Sequence, residues 1–145
     1  MGKIYDAPFP QNPVTASPVF KVACAIGTDN APTNTQLLFT VGLEGGIQTN
    51  LWAIPRGVVT AATALYLFIK KPGSDDKILF DSELMPALTT VNGSTKLPKT
   101  KFIEYSESSA GRFQPGDQVW GGIGLASAAG IVFFVQESEY DDATA

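Results

Sequence analysis

From Phe20 onward the chain alternates short apolar runs with turn signals, at a spacing that predicts an antiparallel β-sandwich or jelly-roll with almost no helix. Strands are expected over 19–26, 36–41, 47–54, 61–70, 77–80, 101–105, 118–126 and 131–136. Gly27 and the loop 28–32 end the first strand, Glu44-Gly45-Gly46 reads as a hairpin turn into 47–54, and Pro55 stops that strand. Lys71-Pro72-Gly73-Ser74 places proline then glycine at the centre of a type II turn and makes the clearest hairpin. Asn92-Gly93 predicts a type I′ turn between 89–91 and 94–97, and Gln114-Pro115-Gly116-Asp117 a turn feeding 118–126. Asn92-Gly93-Ser94 also spells a glycosylation sequon, but no secretion signal supports that use.

Two strands are apolar on both sides. In 61–70, Leu65, Leu67 and Ile69 point one way while Tyr66 and Phe68 point the other. In 131–136, Ile131, Phe133 and Val135 oppose Val132 and Phe134. One face fills a sandwich core, but the second would be wet unless something covers it. Tyr66, Phe68, Val132 and Phe134 are therefore the expected oligomer interface.

The ends differ from the body. Residues 1–18 read as an extended arm, with Pro8, Pro10, Pro13 and Pro18 set among Ile4, Tyr5, Phe9 and Val14. In polyproline geometry such an arm spans roughly 60 Å, against about 35 Å for a compact body. Ile4, Tyr5, Pro8, Phe9, Pro10 and Pro13 are the expected arm contacts to a neighbour. The sandwich domain is expected over 19–136, and 137–145 reads as an acidic, solvated tail.

Composition and charge mainly exclude. The 145 residues are 44% apolar and 17% charged, which suits one globular domain. The sequence has no histidine, so Ser-His-Asp triads, Cys-His dyads and histidine zinc sites are ruled out within one chain. Cys24 is alone and reads as a small buried residue. A net charge of −4 argues against a nucleic-acid partner. The N-terminus shows neither a signal peptide nor a membrane anchor, and Asp6 stands where a myristoylation signal wants Ser or Thr, so synthesis in a cytoplasm is expected.

Local motifs add little chemistry. Gly121-Gly122-Ile123-Gly124 fails as a dinucleotide fingerprint, because Ser127 stands where the third glycine belongs and a strand follows; tight packing is the expected use. Asp75-Asp76 after Ser74, and Asp29-Asn30, carry oxygen ligands suited to a hard cation, but read as solvated loops. No cofactor is expected. Lys96, Lys99 and Lys101 form the only basic stretch and are the expected rim contacts to an acidic neighbour. Trp120 is expected in the core, and Trp52 is left open between core and surface.

The stretch 27–86 resembles a family of small proteins encoded among the structural genes of tailed bacteriophages and prophages. The resemblance lies in Pro32-Thr33, Gly46, Ala53-Ile54-Pro55-Arg56 leading into Val58-Val59-Thr60-Ala61, then Leu65-Tyr66-Leu67-Phe68 and Leu84-Met85-Pro86. Lys71-Pro72-Gly73-Ser74-Asp75 departs from the acid-glycine-glycine run more usual there. The resemblance implies a non-enzymatic virion structural protein, foremost a decoration or cement protein on the capsid surface. Its partner would be the major capsid protein, and its state a homotrimer. Pro115-Gly116-Asp117-Gln118-Val119-Trp120 also resembles trimeric jelly-rolls of the tumour necrosis factor and complement C1q type. The alternatives are a tail- or fibre-associated module binding a host-surface glycan through Trp52 or Tyr66, and an enzyme working through paired carboxylates.

Overall fold

The computed structural model describes residues 12–42, 45–102 and 111–139. Ile4, Tyr5, Pro8, Phe9 and Pro10 of the arm lie outside these residues, as does the tail beyond 139. Among the described residues there are ten strands: β1 (Asn12–Ala16), β2 (Val19–Phe20), β3 (Gln36–Thr40), β4 (Gly46–Pro55), β5 (Thr63–Lys70), β6 (Ile78–Met85), β7 (Thr100–Lys101), β8 (Gly111–Phe113), β9 (Gln118–Ile123) and β10 (Ile131–Glu139). They form two antiparallel sheets, the first ordered β1-β10-β4-β7 and the second β3-β9-β5-β6. In the first sheet β2 also pairs with β10, and β8 also pairs with β4. Because the chain changes sheet at six of its nine connections, the two layers interlock as a jelly-roll.

The alternation in the sequence explains which side chains meet. Ile131, Phe133 and Val135 of β10, with Leu51 and Ala53 of β4, face Leu65 and Leu67 of β5 and Val119 and Ile123 of β9 across one core. Phe133 is its hub, with its ring 4.4 Å from Phe20 and 6.3 Å from Phe102. Each such fully buried aromatic or leucine contributes about 2–3 kcal/mol relative to exposure. A register shift between Leu37 and Phe39 lets β3 bury both Leu38 and Phe39.

Several local expectations change. Only Val19–Phe20 of the expected 19–26 strand pairs with β10; from Lys21 the chain leaves that sheet. β3 and β4 belong to different sheets, so Gly45-Gly46 ends a crossover and is not a hairpin turn. Asn92 instead opens a turn closed by Thr95 N–H on its carbonyl at 3.1 Å, with its side-chain oxygen accepting from Ser94 N at 2.8 Å. That Asx geometry needs no left-handed glycine, so the type I′ reading fails at Gly93. The Lys71–Ser74 and Gln114–Asp117 turns form as expected, with Gly73 at φ 76 and Gly116 at φ 82. Strand also extends into both expected ends: β1 pairs with β10 from Asn12↔Glu139 to Ala16↔Val135. Pro13 is thus part of an outermost strand, where a missing N–H is tolerated.

Candidate interaction surface

The two outer faces of the sandwich are treated differently. On the second sheet the chain covers itself. Residues 21–35 cross that face as a strap, joined to it by a parallel bridge between Ala23 and Ile123 and by Cys24 N donating to Ile123 O at 2.6 Å. Gly122 makes this approach feasible, since a Cβ there would lie 2.8 Å from Cys24 Cβ. The expected tight-packing use of the glycine pair is what Gly122 shows. The strap holds its own shape through Thr33 N donating to Ala25 O at 3.0 Å and Asn34 Nδ2 donating to Ala23 O at 2.9 Å.

This strap corrects two expectations. Phe68 is 1% exposed, buried within its own chain next to Gly122 and Cys24, so it is not available as an interface residue. Trp120 is half-buried on the outer face and not in the core; Lys77 Nζ lies 3.7 Å from its ring centroid and donates to Thr35 Oγ1 at 3.0 Å. Such a contact joins cation–π attraction to a hydrogen bond. Burial pushes the Cys24 thiol pKa up, with Lys77 opposing. Burial and then Lys70 push the Lys77 pKa down, with Cys24 opposing. Tyr66 stays half-buried beside Phe68, with ring centroids 6.2 Å apart.

On the first sheet, none of the described residues crosses the outer face as a strap. Cross-strand register sets Phe134 opposite Trp52 and Trp52 opposite Lys101. The Trp52 and Phe134 rings stack at 4.6 Å with an interplanar angle of 22°. That spacing matches the distance between neighbouring strands, so the rings stand upright, side by side. Lys99 Nζ lies 4.7 Å from the Trp52 ring centroid, near the β7 side. The next row holds Val132 opposite Ile54 and Val19, all half-buried. On the other side of the rings, Asn50 Nδ2 donates to Gln136 Oε1 at 2.8 Å.

Thus the structure brings together Val132, Phe134, Lys99 and Lys101, with Trp52 between them, and places Tyr66 and Phe68 on the opposite face. Lys96 is exposed in the loop before β7. Ile54, Asn50 and Gln136 were not singled out from sequence; their signal is the alternation Asn50-Trp52-Ile54 against inward Leu51 and Ala53. With Phe134 on one side of the Trp52 ring and Lys99 on the other, sugar stacking on Trp52 requires displacing one of them.

The remaining candidates carry less. Asp29 Oδ1 accepts from Ala31 N at 3.2 Å, and Asp75 and Asp76 are exposed. Among the described residues no group of three or more acids or cysteines is placed to hold a metal ion. A notch of about 260 Å³ lies between Val58, Thr63, Leu125 and Ser127. Its hydroxyls serve the backbone: Thr63 Oγ1 accepts from Leu125 N at 3.0 Å, and Ser127 Oγ from Gly130 N at 3.2 Å.

No family model matches the sequence, and no curated protein is significantly similar to it. Among solved structures, a family two carbohydrate esterase from Cellvibrio japonicus is similar at 9% identity with a TM-score of 0.30, over 90% of this chain and 34% of that one. The chain spans about a third of that protein's length, and a likeness this loose carries no argument about chemistry.

Proposed function

We propose that this chain is a non-enzymatic structural protein of a virus particle, a decoration protein that seats on the capsid surface of a tailed-phage head and holds it as a homotrimer bound to the major capsid protein. One observation supports this reading above the others. Residues 21–35 cover one outer face, whereas on the other Trp52, Phe134, Val132 and Ile54 lie together and, among the described residues, Lys99 is laid against them. A contiguous apolar face of this kind is what an assembly contact uses. The occupied faces of Trp52 weigh against the glycan-binding alternative.

Co-sedimentation of the purified chain with mature heads that lack it tests the proposal. Saturable binding, with a fixed number of chains per head, is expected. Failure to sediment with heads, together with saturable binding to a host-surface glycan, would replace this function with the tail- or fibre-associated one. Deleting residues 2–11 in the same assay reports on Ile4, Tyr5 and Phe9 of the arm, and weaker binding is expected.

A further inference from the structure

We infer that the outer face of the first sheet, which no described residue straps, is one half of a head-to-tail contact between copies of this chain, and that the other half is the exposed β6 side of the second sheet. This rests on the assembly reading above and names a second copy as the occupant of the face.

Charge selects the pairing. The face is rimmed by Lys99 and Lys101, and residues 50–54, 99–101 and 131–136 include no acid; the acids of β10, Glu137 and Glu139, pair with Gln48 and Gly46, beyond Asn50 and Gln136. β6 is its converse. It exposes Ile78 at 47%, Leu79 at 39% and Leu84 at 61%, and between Ile78 and Met85 it carries Asp81 and Glu83 with no basic residue. Asp75 and Asp76 add two exposed acids just before it, and the one base between them and β6, Lys77, is already engaged with Trp120 and Thr35. Face against face would oppose lysine to lysine, whereas face against β6 opposes unlike charges around two apolar centres. Setting Lys99 and Lys101 aside leaves eight basic residues against fourteen acids, so a second copy is on balance an acidic partner for this face.

The two surfaces are also free to act at once. One lies on the outer side of the first sheet and the other at the edge of the second, so each copy offers both. A contact between unlike surfaces repeats from copy to copy and closes into a ring when the rotation permits; closure at three gives the expected trimer. The contact is made by side chains and not by extending the sheet through Ser82, because Asp81 Oδ1 already accepts from Ser82 N at 2.8 Å. On the face, Asn50 and Gln136 bond each other, which lowers the cost of drying it.

Sedimentation velocity on the full chain, without heads, provides the test. Three variants are compared with the natural chain: Lys99→Glu/Lys101→Glu, Asp75→Lys/Asp76→Lys/Glu83→Lys, and all five substitutions combined. The natural chain should run as a trimer, and each half-variant should self-associate roughly tenfold or more weakly, since each sets like charges against like. The combined variant should recover association, which also shows that neither half-variant failed through misfolding. A monomeric natural chain, an oligomer indifferent to both half-variants, or one sensitive to the lysines alone would overturn the inference. Head binding is scored separately: a trimer that ignores heads upholds this contact while overturning the proposed function.

Discussion

The Lys71–Asp117 pair offers a prediction that runs against a simple burial ranking. Asp117 is 1% exposed and Lys71 is 48% exposed, with Nζ 2.9 Å from Oδ2. The same Oδ2 accepts from Gln114 N at 3.0 Å, while Oδ1 is buried without a hydrogen-bond partner. Asp117→Asn removes the charge but keeps an acceptor for Gln114, and relieves the cost of holding a carboxylate out of water. A loss of only about 1 kcal/mol is expected. Lys71→Met removes the half-exposed partner and strands the buried charge. The full penalty for that is about 3–5 kcal/mol, and solvent at the lysine end screens it to roughly 2–3 kcal/mol. The exposed residue should therefore matter more than the buried one. Urea denaturation at neutral pH measures both, and thermal midpoints should fall by about 3 °C per kcal/mol. In the double variant the cost should return to near that of Asp117→Asn alone. If Asp117→Asn costs as much as Lys71→Met or more, the stranded-charge reasoning is wrong.

Three further outcomes follow from the packing. Gly116→Ala should destabilise by about 1–3 kcal/mol in the same urea assay, because the residue sits at φ 82 and its new Cβ would lie 2.8 Å from Pro72 Cγ. Gly122→Ala pushes a Cβ to within 2.9 Å of Cys24 Sγ and should lift the strap, seen as faster reaction of Cys24 with an aromatic disulfide reagent. In the folded chain burial raises the Cys24 pKa above its unfolded value. Its contribution to stability is thus complete below the unfolded thiol range near ~8.5 and is lost as pH rises through the folded value. Cys24→Ala should flatten that alkaline loss in urea midpoints taken across pH 7–10, and an unchanged slope would show that the thiol is not its source.

The sequence by itself determined the class of fold and most of the strands, since period-two alternation in 61–70 and 131–136 dictates which side chains enter a core whatever the topology. It also determined the Lys71–Ser74 and Gln114–Asp117 turns, where proline and glycine fix the backbone locally. Tertiary structure decided everything that depends on residues far apart in the chain. A two-sided strand demands a cover but does not say from where: for Phe68 the cover is residues 21–35 of the same chain, whereas no described residue straps Phe134. Nothing local distinguishes those two phenylalanines. Trp52 and Phe134 carry no sign of each other in sequence, and only the β4–β10 register stacks them and sets Lys101 alongside. Side-chain direction is written in each strand, whereas adjacency arises only once loop closure has brought distant strands into register.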